Sequence, residues 1–429
     1  MMKKKKVLLY PAGTEIAFEI NNALKYSKFI EIYAASSVSC HAEYVFKNYI
    51  DGLPPANDLS CVEALNEVVD KYKIDFIYPT HDNALMLLTE NKEKLHAQLV
   101  TSDLKTVQIC RSKKKTYDFF AGEFFVPIVY DGANSINSYP VFVKPSVSQG
   151  SIGAIKVNNK NELETVMNKS GKENIVCEYL PGKEYTVDCF TDKNKKLRLC
   201  HLRSRDRIKA GISIRSTLMK TDDEVMKIAE MINSKLSFNG AWFFQLKKDK
   251  NGNYKLLEIS PRIPGTMAVS RNLGINYPLL TIYNLMDYDL ELIENNYNVV
   301  LDRAFINRYK LNIVYDRVFI DFDDTVYIDN KINIQLMMFL YQCVNNNKEI
   351  ILLTKHIGDI YEYLHKYKIS MSLFNEIIQI GKYDNKEDYV TSNSIYIDDS
   401  FAERKAIKEK FDIPVFDLDM VESLIDWRM

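Results

Sequence analysis

Glycine is scarce in this 429-residue chain, at 15 positions, about half the ~7% of average usage. Each one therefore marks a candidate place where the backbone needs freedom. Net charge is nearly absent: 56 Lys and Arg against 57 Asp and Glu leave −1, which removes the electrostatic support for bulk nucleic-acid binding. No apolar run reaches the ~18 residues of a spanning helix. The basic start Lys3–Lys6 is followed only by Val7-Leu8-Leu9-Tyr10 before Pro11, too little for the ~7–15-residue apolar core of a secretory signal. The seven cysteines form no CxxC pair and do not cluster with histidine. That pattern fits buried thiols in a reducing cytoplasm and no structural zinc. Neither a nucleic-acid nor a membrane partner is expected; a homodimer stays open.

What is present is the balance of a globular chain, 46% hydrophobic and 26% charged. Its length suits two or three folding units. Three regions are legible, all of mixed α/β and α+β character. In residues 1–102, the strands 7–13, 29–36 and 76–82 alternate with helical patterns at 14–27 and 60–73. That order predicts a parallel, Rossmann-like sheet with ligands near the strand C-termini. Ser60 is the expected N-cap of the second helix. Residues 103–310 bring strand pairs (140–146 with 150–157) and helices at 161–169 and 222–236. In residues 316–429, three apolar strands (318–324, 349–354, 394–399) each end in a hydroxyl or a carboxylate. Asn295–Asn312 is the best boundary before this last region.

Two segments of the middle region carry chemistry. Lys144 precedes a loop of small residues that includes Ser148, Gly150, Ser151 and Gly153. Such a loop turns successive N–H groups toward an anion, and the lysine adds a charge for phosphate; an ordinary glycine hairpin would look the same. Further on, Asn251-Gly252 reads as a two-residue hairpin turn. Counting outward from it sets Gln245 opposite Glu258, a cross-strand pair on one face, with Phe244 and Leu257 on the other. Oxygen donors so placed can share Mg²⁺. Arg262 follows at once, suited to a phosphate or carboxylate. The cationic stretch around Gly211, with Arg203, Arg205, Arg207, Lys209 and Arg215, points to an anionic carboxylate substrate, though a solvated charged strand would look the same, and Asp82 at a strand end is a further lining candidate.

Together these residues resemble the ATP-grasp superfamily, in its carbamoyl-phosphate-synthase-like and amino-acid-ligase-like branches, over residues 1–310. The resemblance implies a Rossmann-like pre-ATP-grasp domain followed by an ATP-grasp fold that binds ATP and Mg²⁺, with Mn²⁺ as an alternative. Lys113 would stand in the nucleotide-touching element, with Ser112 for its usual aspartate, and Lys144 would be the lysine after the first central strand. Glu178, Tyr179, Leu180 and Glu184 would hold adenosine. Gln245, Glu258 and Ser260 would ligate metal, with serine where the family often has asparagine, and Arg262 would face the transferring phosphate. The implied chemistry is activation of a carboxylate as an acyl phosphate, then attack by an amine or a thiol.

The third region adds a separate set. Asp321 and Asp323 lie two apart on a chain leaving a strand, a geometry for a nucleophile plus a proton donor. Thr354 and the pair Asp398-Asp399 end the neighbouring strands, and crowded carboxylates call for a cation. Lys386 completes the set, with Lys382 as the alternative. These elements are similar to the haloacid-dehalogenase-like (HAD) phosphatase superfamily. By that resemblance Asp321 is the nucleophile, Asp323 the acid and base, Thr354 and Lys386 phosphoryl anchors, and Asp398 with Asp399, joined by Asp321 and Asp323, the Mg²⁺ site. The fold implied is a HAD-like Rossmannoid parallel sheet, and the short stretch from Thr325 to Thr354 leaves no room for a large cap.

The expectation is a bifunctional cytoplasmic enzyme: an ADP-forming ligase for small carboxylate and amine substrates, one of them phosphorylated, joined to a phosphatase. The alternatives are an ATP-binding regulatory module attached to a phosphatase, and an ATP-grasp kinase.

Overall fold

The architecture comes from a computed structural model that describes residues 4–148, 150, 152–169 and 173–428. The chain divides into two units between Phe305 and Ile306. The first two sequence regions thus share one unit, and the division falls inside the expected boundary stretch.

The first unit opens with a parallel sheet in the order Tyr49–Ile50, Ile30–Ala35, Lys5–Tyr10, Phe76–Pro79, Gln98–Leu99. The three longer strands match the sequence pattern; the two edge strands have two residues each, too few to show any alternation. Helix Glu15–Leu24 starts where the Thr14 side chain accepts from the Ala17 N–H. Ser60 is not a cap but the first residue of helix Ser60–Tyr72. The Asp58 carboxylate accepts its N–H at 2.9 Å, so the capping oxygen comes from two residues upstream.

Two antiparallel sheets follow. One has the order Val129–Tyr130, Asn174–Glu178, Val141–Pro145, Ile155–Val157. Its last strand is shorter than the 150–157 expected. The other runs Leu197–Ser204, Glu184–Thr191, Gly240–Lys248, Tyr254–Ser260. One face of this second sheet (Val187, Cys189, Trp242, Phe244, Leu246) packs against Val225, Ile228, Ala229 and Ile232 of helix Asp223–Lys235. With period two, the residues between them project to the other face. Arg203, Thr186, Gln245 and Glu258 are register partners across all four strands. His201, Asp188, Phe243 and Ser260 form the next row.

The Gln245–Glu258 pairing is as expected, but its cause is different. The turn is not two residues long: Lys248 pairs with Tyr254, and residues 249–253 form a loop. Asp249 Oδ1 organises that loop by accepting from Asn251 N and Asn253 N. The register then shifts between Gln245 and Leu246. Leu257 is the extra residue of this bulge, and its insertion puts Glu258 opposite Gln245. Leu257 consequently lines the cavity side and not the opposite face.

The second unit is a parallel sheet in the order Glu376–Gln379, Glu349–Thr354, Arg317–Ile320, Ser394–Ile397, Val415–Phe416. Its central strands are buried on both faces, as near-continuous Ile, Leu, Val and Phe runs require. A small hairpin (Tyr327–Ile328 with Lys331–Ile332) and helix Ile334–Asn345 fill the stretch between Thr325 and Thr354.

In the first unit, Arg203 is 1% exposed and forms a two-pronged bond with Asp188 at 0%, Nε–Oδ2 2.8 Å and Nη2–Oδ1 3.1 Å. Removing one partner strands a buried charge. Asp188→Asn is expected to cost about 3–5 kcal/mol of stability, read as a lowered thermal midpoint. A paired Arg203→Met, Asp188→Leu replacement should recover most of it.

Candidate functional site

In the first unit the cross-strand row of Arg203, Thr186, Gln245 and Glu258 lines a cavity of about 380 Å³. His81, Asp82, Arg262 and Arg303 complete much of its wall. A second cavity of about 130 Å³ shares Ser148, Gly150, Gln245 and Glu258, and holds Lys113, Lys144, Glu178, Tyr179, Leu180 and Glu184. A Cβ on Gly153 would stand 2.9 Å from Pro145 Cγ; Ser151 lies outside the described residues. Gly150 and Gly211 approach so closely that a Cβ on Gly211 would stand 2.2 Å from the Gly150 carbonyl carbon, and Gly211 also has φ +74°. Both conditions demand glycine there.

The lysines are held from behind. Lys113 opens helix Lys113–Phe119, capped by Ser112, whose Oγ lies 2.8 Å from Ser146 Oγ. Its Nζ donates to Ser148 O at 3.2 Å and sits 3.5 Å from Glu258. Burial pulls its pKa below the usual lysine range, with the Glu258 charge opposing. Lys144 donates to Tyr117 Oη at 2.6 Å, and burial lowers its pKa as well. Glu178 accepts from Ile128 N at 2.9 Å. Glu184 is paired with Lys247 at 2.9 Å and Arg205 at 3.4 Å.

Arg262 stands differently from the phosphate-facing role. Its Nε and Nη2 clasp Asp82 at 2.6 and 2.9 Å, and Nη1 donates to Ile263 O. Ser260 Oγ also donates to Asp82. Burial alone would raise the Asp82 pKa, but Arg262 overrides it and holds the carboxyl well below the usual carboxylate range. Asp82 is thus occupied by the protein's own cation. Nor do Arg207, Lys209 and Arg215 line either cavity. Arg207 bonds Asp302 at 2.7 Å, Arg215 lies 3.8 Å from it, and Lys209 lies over Phe305. They sit on a separate small sheet (Arg207–Lys209, Ile212–Thr217, Val300–Asp302). The cationic residues of that stretch that line the larger cavity are Arg203 and Arg205.

Sequence reasoning did not single out Thr186 or Tyr117. Thr186 lies two residues from Glu184 on the same strand face, and that spacing was the available signal. Thr186 Oγ1 is buried without a hydrogen-bond partner among the described residues, while Arg205 Nε lies 3.4 Å from the Glu184 carboxylate. An unpaired buried donor in a cavity wall is costly, and an anionic or carbonyl oxygen in the cavity would satisfy Thr186. For a divalent cation, Gln245 and Glu258 supply two oxygens on one face, and phosphate oxygens would have to supply the balance.

In the second unit, Asp321 leaves the central strand and Asp398 leaves its neighbour. Lys386 Nζ bridges them at 2.7 Å to each. All three side chains are at least 92% buried. Asp398 also accepts from Tyr396 Oη and Ser400 N. Burial pushes the Asp321 pKa up to about 6 although Lys386 pulls it down. Thr325 holds Asp399, whose pKa burial and the neighbouring Asp398 also raise. Oxygens of Asp321, Asp398 and Asp399 lie within 4.8 Å of one another. Three carboxylates against one lysine leave a negative excess that suits a divalent cation. Lys382 lies instead over the Tyr383 ring. Thr354 is fully buried, its Oγ1 accepting from His356 N. The Asp323 carboxylate does not join the three-acid cluster; His356 Nδ1 holds it at 2.9 Å.

Comparison with known proteins bears on the first unit. Residues 170–303 match a family described as ATP-grasp in the biosynthetic pathway with Ter operon. A 152-residue segment is 30% identical to the arginine-specific large chain of carbamoyl phosphate synthase from Bacillus subtilis. That match covers 32% of this chain but only 14% of the relative. Among solved structures, biotin carboxylase from Campylobacter jejuni superposes with a TM-score of 0.56 at 17% identity, over 70% of this chain and 75% of its own. N5-carboxyaminoimidazole synthetase from Staphylococcus aureus gives 0.56 at 16%, over 70% and 82%. The first unit has the ATP-grasp fold. An L-amino acid ligase from Bacillus licheniformis shares it, at 0.52 and 17% identity over 66% and 75%. No helix among the described residues is long and apolar enough to cross a membrane.

The Asp82–Arg262 pair gives a pH prediction for the ATP-grasp unit. A depressed folded-state pKa contributes stability above the unfolded value of about 3.9 and loses it as pH falls toward the folded value. The stability gap between wild type and Asp82→Asn should therefore be flat, at about 3 kcal/mol, from pH 8 to about 5. It should shrink below about pH 4. Denaturant titrations across that range measure it.

Proposed function

We propose that this protein is a bifunctional enzyme: an ATP-dependent carboxylate–amine or carboxylate–thiol ligase in its first unit, and a HAD-type phosphomonoesterase in its second. The observation that carries the ligase reading is the convergence of Gln245 and Glu258 with Lys113 and Lys144 on adjoining cavities of an ATP-grasp fold. The named functions of the structural neighbours, a biotin carboxylase, a carboxyaminoimidazole synthetase and an L-amino acid ligase, support it. ATP lies in the smaller cavity, with adenosine against Tyr179 and Leu180 and the ribose toward Glu184. Lys113 and Lys144 offset charge on the phosphates, and a carboxylate in the larger cavity accepts the γ-phosphoryl group. The amine or thiol then attacks the acyl phosphate carbon, and phosphate leaves. Thr186 and Arg205 are placed to hold an oxygen of the acceptor. Gln245 and Glu258 would hold Mg²⁺, which would supply charge neutralisation for the transferring group.

The phosphatase reading rests on the geometry of the second unit. Asp321 attacks phosphorus as the ester P–O bond breaks, giving an aspartyl phosphate, and Asp323 gives its proton to the departing oxygen. Water then attacks phosphorus, Asp323 takes its proton, and Asp321 is regenerated with release of inorganic phosphate. Lys386 fixes Asp321 in position. Asp321, Asp398 and Asp399 would hold Mg²⁺, which would supply the compensating charge. One ligase substrate carries a phosphate that the second unit removes from the ligation product, drawing the sequence forward.

Glu258→Ala is expected to abolish substrate-dependent ADP formation while leaving hydrolysis of phosphate esters intact. Asp321→Asn should do the reverse, with losses of about 10³-fold or more. A screen of carboxylate and amine pools for ADP release, with mass analysis of products, measures both. A product that keeps the γ-phosphoryl would favour a kinase, absence of substrate-dependent ADP a regulatory module. Phosphate release from product that survives Asp321→Asn would break the link between the two activities.

A further inference from the structure

Resting on the phosphatase reading of the second unit, we propose that His356 is a positioning residue that holds the Asp323 carboxylate for proton transfer to the leaving group. His356 lies on the loop leaving strand Glu349–Thr354, two residues beyond Thr354. Its Nδ1 is 2.9 Å from both Oδ1 and Oδ2 of Asp323. The two side chains differ sharply in exposure, 6% for His356 against 44% for Asp323. A buried, fixed ring therefore grips an otherwise exposed carboxylate. No other side-chain partner of Asp323 appears among the described residues, so without His356 the carboxylate would rotate freely about two torsions.

The ring itself is immobilised from several sides. Phe322 and Tyr363 meet it edge-on at 5.4 and 4.3 Å between centroids. The His356 N–H donates to Thr354 Oγ1, and its carbonyl accepts from Gln379 Nε2. Nε2 is buried with no hydrogen-bond partner. Among the described residues the ring's only polar bond is thus the one to Asp323, and a carboxylate acceptor there selects the tautomer with hydrogen on Nδ1. A satisfied core histidine would pair both nitrogens; this one leaves the second bare to serve the first. Nδ1 lies within reach of both carboxylate oxygens; once Asp323 is protonated on one of them, the other accepts the Nδ1–H and the first delivers its proton to the ester oxygen. After the P–O bond breaks, the same oxygen takes the proton from the attacking water. The geometry fixes direction, and direction governs proton transfer.

The test uses the full-length protein with Mg²⁺ and two probes, phenyl phosphate and 4-nitrophenyl phosphate. Nitrophenolate departs with little help from an acid, whereas phenolate needs its proton. His356→Ala is expected to lower kcat/KM, which reports the steps through leaving-group departure, roughly 10–100-fold for phenyl phosphate. The 4-nitrophenyl ester should lose less than about 3-fold in kcat/KM, while kcat, which also contains proton transfer from the attacking water, falls for both esters. His356→Asn, whose Nδ2–H can stand in for the Nδ1–H, should recover much of the loss. Asp323→Asn should show the same selectivity in kcat/KM for the poor leaving group. An equal fall in kcat/KM on both esters, a gain in activity, or no change would overturn the positioning role. Thermal midpoints accompany each variant, and the Asn variant carries the comparison where the Ala variant fails to fold. If wild type releases no more phosphate than Asp321→Asn from either ester, the phosphatase reading itself falls.

Discussion

One inserted residue, Leu257, sets the register on which the ATP-grasp site depends. On the helix-packed face, Leu256 and Ile259 are both buried in the core around Trp242. They are three apart, and period two cannot put both on one face of an unbroken strand. The bulge at Leu257 resolves this conflict, and in doing so it turns Glu258 toward Gln245. The apolar demand of the core and the position of the candidate metal ligands are thus one constraint. A strand without the bulge would give up either the burial of Leu256 or the row of Arg203, Thr186, Gln245 and Glu258.

Charge compensation then decides which groups are left for ligands. Burying an ion is expensive unless a partner offsets it. Arg203 is taken by Asp188, Arg262 by Asp82, and Glu184 by Lys247 and Arg205. In the wall of the larger cavity Thr186 Oγ1 is left without a hydrogen-bond partner among the described residues. The Arg262–Asp82 clasp also ties the last residues after strand Phe76–Pro79 to the antiparallel sheet, so the wall of the larger cavity is braced by the very cation that the family resemblance would aim at phosphate. Either a ligand competes with Asp82 for that guanidinium, or Arg262 acts through the wall it holds.

Legibility in the sequence followed the range of the interactions. The parallel strands were readable because burial on both faces writes itself as continuous apolar runs, as at Ile350–Leu353 and Ile395–Ile397. The Gln245–Glu258 pair was found through a turn that does not exist: the five-residue loop around Asp249 and the bulge offset one another. Asn251-Gly252 is a genuine turn signal, but Asp249 outcompetes it by accepting two backbone N–H groups. The cationic residues Arg207, Lys209 and Arg215 misled because composition carries no direction. Their two strands belong to a different sheet, where Asp302, far along the chain, neutralises Arg207. Ser151 lies outside the described residues.

The two units assemble their acids by opposite means, and this explains why one partner was hidden. A parallel sheet gathers strand ends, so Asp321, Thr354 and Asp398 were predictable from where apolar runs stop. An antiparallel sheet gathers strand middles, so Thr186 and Gln245 meet only once the register is known. His356 belongs to neither class. It sits two residues past a strand end, in the loop, where the chain no longer obeys a period. What fixes it is aromatic packing by Phe322, remote in sequence, and by Tyr363, a few residues on, contacts that no local pattern encodes. The ring is carried by the loop after one strand and the carboxylate by the loop after the next. Their meeting follows from strand adjacency in the sheet, so the order of strands is what converts two unremarkable loop residues into one bonded pair.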